Sequence, residues 1–222
     1  MNNLRTILSR YIKYWLGLII LLVPILLEGC QIYRASESVP EYSYLNPSTD
    51  ITTIGRVTIV ELANNSAYPK ISADVTEALF LALQKKQIFG LTKVYQDDPA
   101  FQSLKIEPDA AYYTFEQLYA ISKTLKCHAV LVGTITQYKP YPHMAIGLRL
   151  RLLDLNNGQL LWAVEQVWDS TDKTTKSRIK NHFQGQTLSG VESLREQVTV
   201  ISQLEFIRFV TYEIAETLQP KR

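Results

Sequence analysis

The side chains able to do chemistry in this 222-residue chain are few: three histidines, two cysteines and an adjacent pair of aspartates. His128, His143 and His182 lie far apart in sequence, and no spacing places any of them with a nucleophile and a carboxylate. No Gly-x-Ser-x-Gly elbow, His-Glu-x-x-His helix, P-loop or Gly-x-Gly-x-x-Gly turn occurs. Cys127 and His128 are neighbours, and a thiol beside an imidazole could be a nucleophile or a redox centre. Neighbours on a strand point to opposite faces, however, which argues against joint action. Asp97 and Asp98 precede Pro99 and read as an Asp-Pro turn, not as an acid–base pair. The expected set is therefore no catalytic residue, no metal site and no cofactor. What is left is Cys30, a thiol placed just past the end of an apolar run.

That run is WLGLIILLVPILL, residues 15–27, thirteen uncharged apolar residues. A spanning helix needs roughly 20. Arg5, Arg10 and Lys13 precede the run, as in the cationic start of a secretory signal, and Pro24 is awkward in a long helix. Leu27, Gly29 and Cys30 then resemble the lipobox of bacterial lipoproteins. Glu28 departs from the small or apolar residue usual there. The resemblance implies cleavage before Cys30 and a diacylglyceryl group on its sulfur, with added palmitate-type chains. The alternative is an ordinary signal with a cysteine just beyond it. Gln31 follows, where an Asp would imply inner-membrane retention, so the resemblance implies the periplasmic face of the outer membrane.

Charge and cysteine count agree with an exported protein that handles no nucleic acid. The whole chain carries a formal +2, and without residues 1–29 it is formally neutral. No RNP, zinc-finger or Arg-rich pattern is present. Exported proteins usually pair their cysteines. If Cys30 carries lipid, Cys127 is left to serve as a small buried hydrophobe.

The expected organisation is a signal peptide over 1–29, a lipidated cysteine and tether over 30–55, and one domain over 56–218. The tether reading rests on the Ser, Thr, Pro and Asn of residues 31–55, although Tyr33, Tyr42 and Tyr44 could pack on the domain. Residues 57–62 read as a strand and the helix near 70–86 follows, with Ile71, Val75, Ala78, Leu79 and Ala82 on one face and Gly90 as its stop. LTKVY (91–95) is a second strand, followed by a loop. Thr114 and Gln117 make a capping box, and Leu118, Ile121 and Leu125 mark the buried face of its helix. AVLVGTITQY (129–138) opens as a continuous apolar run, as a central strand covered on both faces should. This order favours parallel pairing.

Residues 146–155 and 160–168 then form a hairpin around NNG. A three-residue loop with Gly158 left-handed would pair Leu155 with Gln159, Arg149 with Glu165, Leu150 with Val164 and Leu152 with Trp162. That register sorts charges from apolar groups, so it is preferred over a two-residue loop. Leu148, Leu150, Leu152, Trp162, Val164 and Trp168 are the expected core. A helix near 173–183, a link after it, and a helix near 202–218 complete the chain. Leu204, Ile207, Val210, Ile214 and Leu218 are expected on the last helix's buried side. The fold class is thus α/β with a mixed sheet: strand-helix-strand-helix-strand, an antiparallel hairpin, then C-terminal helices.

AVLVGTITQY, the Tyr-Pro bend and GLRLRLLDLNNGQLLW together resemble the lipoprotein domains of the curli-secretion type. The same α/β domain occurs in penicillin-binding-protein activators and is similar to the N-terminal domain of TolB. The resemblance covers about residues 56–218. It implies a non-enzymatic envelope protein that binds other proteins or forms a homo-oligomer. A secretion pore needs extra strands of roughly 9–11 residues for a barrel, and every alternating strand here is spent on the domain's own sheet. Candidate partner-binding residues are Tyr138, Tyr141 and His143 at the bend and Arg149 and Arg151 on the hairpin. The competing reading is a rigid connection and a solvated sheet face. The expected role is a lipid-anchored binding or assembly factor, with a lipid-anchored hydrolase of cell-wall or glycan material as the rival class.

Overall fold

The computed structural model describes residues 43–108, 110–184 and 201–218, all within the compact unit Val39–Arg222. The signal, Cys30 and the link after residue 184 lie outside the described residues.

Seven strands form one open mixed sheet, ordered β1-β7-β6-β5-β2-β4, with the short β3 also pairing β5. They are β1 (Ser43–Leu45), β2 (Arg56–Val60), β3 (Ala63–Asn64), β4 (Gly90–Val94), β5 (Ala129–Lys139), β6 (Ala145–Asp154) and β7 (Leu160–Asp169). The helices are α1 (Ile71–Lys86), α2 (Pro99–Gln102), α3 (Phe115–Leu125), α4 (Lys173–Gln184) and α5 (Gln203–Glu216). β2 pairs in parallel with both β4 and β5, as the strand-helix alternation predicts. From β5 onward the pairing with β6, β7 and β1 is antiparallel.

One face of the sheet is covered by α1 and α5. Val57, Ile59, Leu131, Ile135, Leu148, Leu150, Leu152, Trp162, Val164 and Trp168 point to it and are buried. All six expected hairpin core residues are among them. The two indoles are tied to α5: Trp162 Nε1 donates to Thr217 Oγ1 at 2.8 Å and Trp168 Nε1 to Glu213 Oε2 at 2.6 Å. Lys86 pairs with Glu216 and so links α1 to α5.

The second face is only half covered. α2 and α3 lie over it where β4, β2 and β5 meet, packing Phe101, Ile106, Leu118 and Ile121 on Val60, Val94, Val130 and Val132. The first half of β5 is therefore buried on both sides, which explains its unbroken apolar run. Beyond Leu153, the same face of β6, β7 and β1 carries Arg149, Glu165, Val167 and Tyr44, all exposed.

Several expectations shift in detail. Gly90 does not stop α1: Gln87 does, at a φ of 53° in the left-handed region, and Gly90 opens β4. The predicted loop after β4 contains α2, whose first turn Asp98 caps through Ala100 N–H at 2.8 Å. Leu204 is 49% exposed, because it lies in α5's first turn beyond the edge of the sheet-facing stripe. Ser43–Leu45, within the segment read as tether, forms the edge strand against β7, and buried Ile51 follows it. The Arg149–Glu165, Leu150–Val164 and Leu152–Trp162 pairs form as expected. Near the turn the register changes by one, so Asp154 rather than Leu155 bonds Gln159. Leu161 is the extra residue, and its burial is what the irregularity achieves. Gly158 has the expected left-handed backbone, φ 72°.

Candidate functional site

The five candidate surface residues are set by β5, the bend after it, and β6. Tyr138 ends the apolar side of β5 and turns inward. Its ring meets Tyr68 edge-on at 5.4 Å, and its hydroxyl donates to Gln203 Oε1 at 3.4 Å. Burial raises its pKa above the ordinary phenol value. Tyr141, three residues on, is 85% exposed, and His143 is exposed beside it. The bend therefore presents Tyr141 and His143 to solvent and commits Tyr138 to the core.

Arg149 and Arg151 project from the other face of the sheet. Arg149 pairs with Glu165 across the strands at 2.8 Å, and the guanidinium holds that carboxyl below its usual range. Both groups are well exposed, so this pair adds little stability. Arg151 donates to the carbonyl of Ala111 at 2.7 Å and also to that of Ala110. It pins the segment leading into α3 instead of waiting for an anion. The five residues thus fall on two faces and one loop and do not converge on one site.

The chemistry-bearing residues are similarly dispersed. Cys127 is buried in the core cluster that also holds Val130, Leu118 and Ile121, and burial pushes its thiol pKa up, away from the reactive thiolate. His128 is exposed, its Nδ1 accepting from the Arg56 N–H at 3.1 Å. Both residues precede β5, Cys127 buried and His128 exposed. His182 packs against Phe183, Phe209 and Tyr212. His128 and His143 flank the two ends of β5, whose eleven residues span about 36 Å. Among the described residues no cluster of three His, Cys, Asp or Glu side chains could hold a metal ion.

An open cleft of about 500 Å³ lies where the β7 edge meets α4. Glu165, Asp169 and Asp172 line it, together with Arg178. Each of these carboxyls is held below its ordinary value: Glu165 by Arg149, Asp169 by Thr171, and Asp172, down to about 2, by Thr174. They are bases already occupied by their neighbours, and none is poised to donate a proton near neutrality.

One surface was not visible as such in the sequence reading. Tyr112, Phe115 and Tyr119 are 80%, 73% and 66% exposed at the start of α3. The signal was present: Phe115 and Tyr119 are four apart, off the Leu118–Ile121 stripe. No helix among the described residues is long and apolar enough to cross a membrane.

No family model matches the chain, and no curated protein matches it. Among solved structures it is similar to the PelC dodecamer of Paraburkholderia phytofirmans, at 15% identity over 61% of this chain and 85% of that one, TM-score 0.42. The lipoprotein GNA1162 of Neisseria meningitidis is 14% identical over 61% of this chain and 99% of that one, TM-score 0.42. LpoB of E. coli is 23% identical over 52% of this chain and 58% of that one, TM-score 0.40.

Proposed function

We propose that this chain is a lipid-anchored cell-envelope protein that acts as a non-enzymatic binding or assembly factor for other envelope proteins. The observation that carries the proposal is the order of residues 1–30: cationic start, thirteen apolar residues, then Leu27, Gly29 and Cys30. Thiol acylation is the one piece of chemistry for which residue type and context agree. The mechanism is positional. Acyl chains at Cys30 confine the folded unit to a membrane surface and raise its effective concentration for a partner there. Gln31 favours the outer membrane as that surface. The dispersed histidines and the ionised, pre-paired carboxylates of the cleft support binding over hydrolysis.

Intact mass of the protein isolated from membranes tests the anchor. The expected species begins at Cys30 and carries diacylglycerol. An uncut leader or a bare thiol would overturn the proposal. In-cell crosslinking, with Cys30→Ser as control, tests the positional mechanism: partner adducts are expected to fall when the anchor is lost. An unlipidated product that retains all of its partners would contradict it.

A further inference from the structure

The lipid at Cys30 would hold the domain near a bilayer, and the start of α3 carries exposed aromatic rings. We propose that the aromatic and lysine edge of α3, formed by Tyr112, Phe115, Tyr119 and Lys123, docks on the surface of the membrane that carries the anchor. The inference rests on the anchoring proposed above and names what the free surface of α3 touches.

The residues make one strip. Leu118 and Ile121 commit one side of α3 to the core. Phe115, Tyr119 and Lys123 recur at four-residue intervals along an adjoining side, and Lys123 Nζ sits 5.8 Å from the Tyr119 ring. Tyr112 is exposed two residues before the Thr114 cap, while its neighbour Tyr113 packs inward on the α3 core. Rings followed by a lysine are the composition that suits a bilayer boundary: the rings enter the headgroup layer and the ammonium reaches the phosphates. Glu116, three residues before Tyr119 and seven before Lys123, flanks the strip on the lysine's side.

Size distinguishes the occupants. An aromatic side chain offers roughly 150–250 Å², so three at these exposures present on the order of 400 Å². A stable protein–protein interface takes about 800 Å² from each partner. The strip is too small to hold a second copy by itself. It is enough to orient a domain that acyl chains already keep at the surface, where much of the translational freedom is already lost.

The strip is also held in place. Arg151 fixes Ala110 and Ala111, so Tyr112 starts from a pinned backbone. Arg151 belongs to the cross-strand row Val132–Arg151–Ala163–Tyr44. Tyr44 stands two strands away, about 10 Å, on the same half-open face. The chain arrives from Cys30 next to it, at Ser43. Twelve residues separate Cys30 from Ser43 and reach at most about 43 Å, on the order of one domain diameter.

The test uses the acylated protein purified from membranes and reconstituted into phosphatidylethanolamine and phosphatidylglycerol vesicles. A nitroxide is attached at Tyr119→Cys, with Arg208→Cys, exposed on α5 across the sheet, as reference. Intact mass is recorded on the same samples. The expected result is several-fold lower collision with a nickel chelate and higher collision with oxygen at 119 than at 208. Adding Tyr112→Ser and Phe115→Ser should restore nickel access at 119. Equal accessibility at the two sites in protein shown to be acylated would overturn the docking and leave the anchor standing. Protection at 119 that survives replacement of vesicles by detergent would assign the strip to a protein contact and also overturn it. A bare thiol at Cys30 would remove the anchor, and the docking with it.

Discussion

The indole of Trp162, on β7, is fastened to Thr217 at the end of α5 by a 2.8 Å hydrogen bond in a fully buried setting. Thr217 in turn donates to the Ile214 carbonyl at 2.7 Å, so one hydroxyl joins the sheet to the last turn of the helix above it. Replacing Thr217 with valine keeps the shape and strands the indole N–H away from water. The expected cost is about 1–3 kcal/mol. Urea denaturation reads it as a lower midpoint with unchanged slope. An unchanged midpoint would mean the bond contributes nothing net.

Gly133 on β5 stands opposite Leu150 on the neighbouring strand β6. A methyl group there would come within 2.3 Å of the Arg149 carbonyl and 2.6 Å of Leu150 Cδ2. Backbone cannot yield as a flexible side-chain tip can, so Gly133→Ala should destabilise by about 1–3 kcal/mol. Thermal unfolding followed by near-ultraviolet dichroism would show it. Full retention of stability would contradict the close strand packing described here.

Arg151 acts as a clasp on the segment before α3. Arg151→Met removes both carbonyl contacts while keeping an apolar stem. Global stability should fall by only about 1 kcal/mol. Amide exchange at residues 110–113 should accelerate well beyond that global change. Exchange that rises equally everywhere would show that the clasp is not local.

Alkaline pH should loosen the fold. Burial raises the pKa of Cys127, Tyr95 and Tyr138, and the Glu77 partner raises that of Lys93. Each of these groups favours the fold while protonated, so its contribution is intact below its ordinary value and drains away as pH climbs through the folded one. The ordinary values are 9.0 for the thiol and 10.0 for the phenols, which places the onset near pH 9. Denaturation midpoints measured from pH 8 to 11 should decline, and Cys127→Ala should flatten the earliest part. A flat profile would contradict the assignment.

How far the residues announced this structure depended on how local the deciding interaction was. The hairpin register was legible because Arg149, Glu165, Leu150 and Trp162 sort correctly in one alignment only. The capping box was legible because Thr114 and Gln117 carry it by themselves: each side chain meets the other's backbone N–H, at 3.3 and 2.9 Å. The extra residue at Leu161 was not, because a sheet irregularity is chosen by what burial a distant helix offers. Tyr138 read as an exposed tip from its neighbours Pro140 and Tyr141. Only contact with Tyr68 and Gln203, from remote parts of the chain, turns it inward. The strip on α3 is not legible in the sequence for a similar reason. Its periodicity was plain, but whether an aromatic flank is covered depends on elements that sequence spacing does not place.

The three-residue β1 also sets how the folded unit would bear tension. It lies at the margin of the sheet and is the first described element of the chain. A ladder that short is the weakest link in the load path, and the next firm hold is the buried Ile51. Pulled in an optical trap from its amino-terminal side, the protein should yield a first, low-force extension of about 25 Å before the core gives way. Such slack would let a domain tugged by its partner lengthen its leash without unfolding.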